Sequence, residues 1–269
     1  MRSKIINTSV YLHGQWNKKK AYVIGEVGIT LTVNGEAWLT FMCTPSDLSQ
    51  LAIGFLYNEE IISTKEEIAC VRVCPNEDNI DVWLNHTVQK PDKWIKTSGC
   101  SGGKTSIATI SHYKKSKGKS PNGRLLTTEH VGELIESLNS AQVLYKKSGG
   151  VHTSALNDGE NILLAAEDIG RHNTLDKLAG FCLMEGIDPQ KKIILTTGRI
   201  SSEMMQKAAR MAVSVVISRT SPTSLSVQMA DKWGTTLIGY ARRDRFTVYS
   251  HAERILSLAP INEDINSEA

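Results

Sequence analysis

The sequence has no apolar run approaching the roughly 20 residues that a membrane helix needs. Its opening, MRSKIINTSV, lacks both an apolar core and a small-residue cleavage site. Neither a membrane span nor an export signal is expected. Cysteine is scarce and odd in number: Cys43, Cys70, Cys74, Cys100 and Cys182. Five thiols in 269 residues do not make a disulfide framework. Charge of one sign is also short, with a net of only +3. That is too little to indicate nucleic acid, but it leaves room for a local basic patch facing an anion. The expectation is a reduced, cytoplasmic, unprocessed protein with no nucleic-acid partner and no membrane association.

What is present is ordinary for a globular chain: 41% hydrophobic and 22% charged residues. The length suits two domains. Residues 1–105 read as a small α+β domain. Residues 9–16 and 21–25 alternate as strands, and Asn34-Gly35 marks a hairpin between Ile29 and Met42. Leu48, Leu51, Ala52, Phe55 and Leu56 recur at helical spacing, with Ser46 placed to cap the helix. Strands over 68–74 and 79–84 flank the polar turn Pro75-Asn76-Glu77-Asp78.

Residues 106–269 read as an α/β domain. It begins with a Lys-, Ser- and Gly-rich stretch, 114–123, expected to be an exposed loop. Helices over 128–139, 172–185, 201–211 and 223–233 then alternate with strands over 162–166, 192–196, 213–218, 236–240 and 246–250. That pattern implies a largely parallel sheet covered on both faces. Ligands bind such sheets where strands end and helices begin. Three junctions there are polar: Glu167–Asn173, Thr196–Ser202 and Ser218–Ser224, carrying Arg171, Arg199 and Arg219. Helix N-termini attract anions, so an anionic ligand is expected at this edge; ordinary capping by Ser, Thr and Asp is the simpler alternative.

Cys100 stands apart from the other thiols. It lies in Thr97-Ser98-Gly99-Cys100-Ser101-Gly102-Gly103-Lys104, a polar loop whose glycines allow close approach. Lys104 and the nearby lysines favour its thiolate. Cys43 and Cys182 sit in apolar segments and read as structural. Cys70 and Cys74 lack the further His or Cys that a zinc site requires and read as small buried hydrophobes. His251-Ala252-Glu253 has the H-x-E spacing of zinc deaminases, but no P-C-x-x-C follows. No metal ligand is assigned. His86 and His112 are expected to be solvated.

The run Glu167-Asp168-Ile169-Gly170-Arg171-His172-Asn173-Thr174-Leu175-Asp176-Lys177 resembles the signature of the formate dehydrogenase accessory sulfurtransferase family (FdhD/NarQ). Three further segments are similar to that family: Gly149–Ala155, Thr197–Met204 and Ser221–Val227. The likeness spans about residues 20–256. It implies a cytidine-deaminase-like, three-layer C-terminal domain joined to the smaller N-terminal one. It implies that a cysteine desulfurase loads sulfur onto Cys100 as a persulfide. The sulfur then passes to the molybdenum of a bis(molybdopterin guanine dinucleotide) cofactor, a bound substrate, for formate dehydrogenase. Tyr240, Ala241, Arg242, Arg243, Asp244 and Arg245 match the family's cofactor-binding stretch, and arginines there suit phosphates. A homodimer is also implied. One departure matters. The family's loop motif is C-x-x-C, and here Gly103 replaces the second cysteine. A persulfide needs only one thiolate, yet the gap keeps open a non-catalytic chaperone that holds the cofactor and transfers no sulfur.

Overall fold

The structure is a computed structural model. It describes residues 2–91 and 126–256, and the backbone of 94–96 and 104–106. Strands β1 (Ser3–Leu12) and β2 (Gln15–Ile24) form a long antiparallel hairpin. His13 (φ 49°) and Gly14 (φ 81°) turn it, so the strand expected over 9–16 is interrupted by a tight primed turn. β3 (Val27–Val33) and β4 (Glu36–Cys43) meet at the expected Asn34-Gly35 turn, with both φ values positive. With β5 (Ile68–Val73) and β6 (Asn79–Leu84) they build a four-stranded sheet in the order β4-β3-β6-β5. Its inner face, including Ile29, Leu31, Phe41, Ile80 and Val82, packs on helix α1 (Leu48–Asn58) through Leu51, Phe55 and Leu56.

Ser46 does not cap α1. Asp47 precedes the helix in left-handed backbone (φ 53°) and makes no capping bond. The Ser46 hydroxyl faces Lys177 Nζ instead, at 3.4 Å. Further on, β7 (Trp94–Lys96) and β8 (Lys104–Ser106) pair antiparallel, with Lys96 opposite Lys104. Cys100, Gly103, His112 and the 114–123 stretch lie outside the described residues.

The second half runs β9 (Leu126–Thr127), α2 (Thr128–Ala141), α3 (Leu144–Ser148), β10 (His152–Asn157), β11 (Ile162–Asp168), α4 (Arg171–Glu185) and β12 (Ile193–Thr196). It continues with α5 (Ser202–Arg210), β13 (Val215–Ser218), α6 (Ser224–Trp233), β14 (Thr236–Gly239), β15 (Thr247–Ser250) and β16 (Ile255–Leu256). Six of these strands form one sheet in the order β11-β10-β12-β13-β14-β15. The sheet is mixed rather than largely parallel. Only β12, β13 and β14 pair in parallel, while β10 runs against both its neighbours and β15 runs against β14. β10 is silent in the sequence because Thr153, Ser154 and Asn157 are buried along with its apolar residues. It therefore shows neither alternation nor an apolar run.

The sheet is covered on both faces, giving three layers and a mixed α/β fold. α2 packs Val131, Leu134, Ile135 and Leu138 on one face, against Ala155, Ile193, Leu195, Val215 and Ile217. α4 and α5 pack on the other, against Leu156, Ile194, Val216 and Leu237. The four-stranded sheet joins this body through α1 and α4, which touch backbone to backbone. A Cβ on Gly54 would collide with the Asp176 carbonyl, and one on Gly180 with the Gln50 carbonyl. Glycine is required at both positions because the helices cross too closely for any side chain.

Candidate functional site

Because β10 opposes both β11 and β12, the strands β11, β12, β13 and β14 all point the same way. Their C-terminal ends, Asp168, Thr196, Ser218 and Gly239, share one edge of the sheet. All three polar junctions and the 240–245 stretch leave from that edge. His152, the first residue of β10, lies opposite Asp168 in register. The structure thus brings together every strand-end segment singled out in the sequence.

Most of the 167–177 signature is buried and holds the molecule together. Lys177 and Asp168 are fully buried and form an ion pair at 2.6 Å. The Asp168 carboxylate also accepts the Thr44 N–H (3.1 Å), the Gly170 N–H (2.8 Å) and the Asn173 amide (2.8 Å). Asn173 donates as well to the Met42 carbonyl at 2.9 Å. Asp176 accepts from Lys207 (2.5 Å) and from Asn58 (2.8 Å). Thr44, Met42 and Asn58 belong to the first half of the chain, so this network fastens the two halves. Glu167 does similar work locally, accepting the N–H groups of Val143, Leu144 and Tyr145 at the start of α3. Buried charges cost heavily unless they are paired and hydrogen-bonded, and here they are.

The junctions also use much of their own capping capacity. The Ser201 hydroxyl accepts the Met204 N–H at 3.4 Å, and that of Thr223 accepts the Ser226 N–H at 3.3 Å. Ordinary capping therefore accounts for these hydroxyls. The side chains that remain are cationic or imidazole. Arg199 is exposed; Arg219 is half-buried and donates from Nη1 to Asn139 Oδ1 at 3.0 Å. Gly198 lets the Arg171 stem pass, since a Cβ there would sit 2.8 Å from Arg171 Cβ. Burial, and then the charges of Arg171, His172 and Arg199, hold His152 below the usual imidazole range. Burial also lowers His172, against the pull of Glu203, whose carboxylate lies 3.0 Å from Nε2. The edge thus gathers arginines around two imidazoles whose protonated forms burial disfavours, an arrangement that suits an anion.

The 240–245 stretch divides its roles. Tyr240 is exposed in left-handed backbone (φ 49°). Ala241 is buried, and its N–H donates to the Ser218 carbonyl at 3.0 Å. Arg242 donates to the carbonyls of Arg219 (2.6 Å) and Ala241 (2.8 Å), so it braces the turn. Arg243 pairs with Glu136 on the surface at 3.2 Å. Asp244 and Arg245 are exposed. Of the three arginines that suited phosphates in the sequence, Arg242 is the one already engaged with backbone.

The thiols also separate. Burial, reinforced by the Asp168 carboxylate, pushes Cys43 up to about 12, and burial pushes Cys182 to a similar value. Both are structural, as expected. Cys70 is not a buried hydrophobe: β5 is an edge strand, and a bulge between Ile68 and Cys70 leaves Cys70 exposed opposite Trp83. Cys74 is half-buried. His86 is exposed, as expected, and its ring bonds to Glu67 at 2.9 Å. His251 and Glu253, the H-x-E pair, bond to each other at 3.0 Å. Among the described residues no helix is long and apolar enough to cross a membrane. The members of the buried network that the sequence did not single out are Lys207 and Asn58. Their only signals were a charge and an amide on otherwise apolar helix faces.

The fold and its edge define a three-layer α/β protein suited to an anionic ligand. Comparison gives the family. The FdhD/NarQ family model matches residues 24–256, and the chain belongs to that family. It is 36% identical over 247 residues to the sulfur carrier protein FdhD of Bacillus subtilis (strain 168), covering 91% of this chain and 94% of that one. It is also 36% identical over 245 residues to the sulfur carrier protein FdhD of Staphylococcus aureus (strain MRSA252), covering 90% and 91%. A crystal structure of a candidate formate dehydrogenase accessory protein from Desulfotalea psychrophila superposes with a TM-score of 0.79. That match has 26% identity and covers 95% of this chain and 100% of that one.

Proposed function

We propose that this chain is a sulfur carrier for formate dehydrogenase, with Cys100 as the carrying residue. The Cys100 thiolate attacks the terminal sulfur of a cysteine desulfurase persulfide. A new sulfur–sulfur bond forms on Cys100, and the desulfurase cysteine leaves as a thiolate. The terminal sulfur would then pass to molybdenum in bis(molybdopterin guanine dinucleotide), held as substrate: the sulfur–sulfur bond on Cys100 breaks, Cys100 leaves as a thiolate, and the two electrons that bring the sulfane sulfur to the sulfide level come from the reduced molybdenum of that substrate. The observation that carries the cofactor half of this reading is the cationic strand-end edge. Arg199, Arg219 and Arg245 would meet the phosphates, with Tyr240 and Asp244 beside the nucleotide and Arg242, Ala241 and Arg243 fixing the turn that presents them. The sulfur half is supported by the relatives' role as sulfur carriers and by the two thiols, Cys43 and Cys182, that burial withdraws from chemistry.

The reading includes a division near residue 105, a deaminase-like second domain, a cytoplasmic location and a homodimer. The three layers around the mixed sheet support the domain part. The test is mass spectrometry after incubation with a cysteine desulfurase and cysteine, together with Cys100→Ala in a host lacking its own copy. A one-sulfur adduct on Cys100 and loss of formate dehydrogenase activity in the variant are expected. No adduct, with cofactor binding intact, makes the protein the chaperone that Gly103 leaves open.

A further inference from the structure

Gly149–Ala155 contributes one ionisable side chain to the strand-end edge, that of His152. His152 opens β10, the strand that lies between β11 and β12. Its register partner is Asp168, so the two side chains leave the same face of the sheet. Asp168 does not bond the ring. Its carboxylate is taken up by Lys177, by Asn173 and by the N–H groups of Thr44 and Gly170. The charges that act on His152 come from Arg171 and His172, in the first turn of α4, and from Arg199, after β12. Glu203, in the first turn of α5, is held 3.0 Å from His172 Nε2.

One contact fixes how the His152 ring is protonated. The Thr197 hydroxyl oxygen accepts the Thr153 N–H at 3.0 Å and lies 3.4 Å from His152 Nδ1. A hydroxyl has one proton to give and two lone pairs. Thr153 occupies one lone pair, and among the described residues Nδ1 is the acceptor left for the proton. A neutral imidazole that accepts at Nδ1 carries its own proton on Nε2. No described residue pairs with that Nε2–H, and the ring is half-buried rather than closed off. The edge therefore holds a free N–H donor beside Arg171 and Arg199.

This donor differs from the arginines in one respect. They stay charged at every accessible pH, whereas the ring can change its charge. With the edge empty, burial and the neighbouring cations oppose protonation. An anion seated there offsets those cations and favours the imidazolium. The new proton would come from solvent and settle on Nδ1. Thr197 can accommodate it by turning its own proton outward and accepting with its second lone pair.

We propose that His152 is a ligand-contacting residue of this edge: its Nε2–H donates to an oxyanion of phosphate type, and the ring takes up a proton as that anion binds. The inference rests on the reading that this edge receives an anion. The probe is inorganic sulfate, which keeps its charge across the range tested, added to the full chain carrying ¹⁵N-labelled histidine. Long-range ¹H–¹⁵N NMR should find the neutral His152 proton on Nε2, and Thr197→Val should mix the two tautomers. Saturating sulfate should move the His152 titration midpoint up by about one unit or more. Sulfate affinity should accordingly rise about 10-fold or more between about pH 8 and about pH 5.5. His152→Gln keeps a donor but cannot take up a proton, and should lose that rise. A wild-type proton on Nδ1 overturns the proposal, as does a His152→Gln variant with the same rise. Sulfate that binds at Arg199 without moving the His152 midpoint overturns it and leaves the anion reading standing. Sulfate that binds nowhere on the edge overturns both.

Discussion

Two segments at the same sheet edge, 167–177 and 240–245, differ in how much of themselves they spend inward. In the first, Asp168, Asn173, Asp176 and Lys177 are buried and bonded to residues from both halves of the chain. In the second, Tyr240, Arg243, Asp244 and Arg245 stand in solvent, and Arg242 and Ala241 brace the turn beneath them. The longer and more distinctive motif is mainly architecture. The shorter one leaves most of its side chains in solvent. A motif can be strongly patterned because it closes a buried polar network, where each member leaves the others unsatisfied if it is lost.

Removing one side of that network should give the largest effect. Asp168→Ala leaves the Lys177 charge buried without its partner and should cost about 3–5 kcal/mol. Urea unfolding monitored by circular dichroism checks this; a loss near that of a surface substitution would break the comparison. Gly54→Ala should follow at about 3 kcal/mol, because its Cβ meets backbone and not a movable side chain.

Much of this architecture was legible. The Asn34-Gly35 hairpin, α1 and the alternating helices and strands from residue 162 onward rest on local periodicity and turn chemistry, which a sequence carries openly. The direction of β10 was not legible, because Thr153 and Ser154 are buried by long-range bonds to Glu167, Thr174 and Thr196. The Ser46 cap failed for a similar reason: Lys177, 131 positions away, draws its hydroxyl inward. At the site, the convergence of the junctions was legible from strand order in outline. The inward role of Arg242 was not, since it depends on carbonyl positions set by two different loops.

Smaller effects sharpen the contrast. Arg242→Ala should lower stability by about 1–2 kcal/mol through two lost carbonyl bonds. Arg245→Ala should stay within about 0.5 kcal/mol of wild type while weakening guanine-nucleotide binding several-fold, as measured by calorimetry. Equal stability losses in the two would erase the distinction drawn within 240–245. The pH dependence is milder. Burial depresses His152 and His172, so the unfolded chain takes up protons that the folded chain refuses. Their contribution is complete above the ordinary imidazole value of 6.5 and is lost as pH falls below it. Thermal melts between neutral and mildly acidic pH should show a declining midpoint, and His172→Gln should flatten part of that decline.

The central claim concerns which thiol carries sulfur. Cys70 and Cys74 are the accessible alternatives among the described residues, while Cys43 and Cys182 are held protonated by burial. The direct measurement is peptide-resolved mass spectrometry of the native protein after loading by a cysteine desulfurase. A one-sulfur increment on the Cys100 peptide, absent from the Cys70–Cys74 peptide, is the predicted result. An increment on Cys70 or Cys74 with Cys100 unmodified would contradict the account.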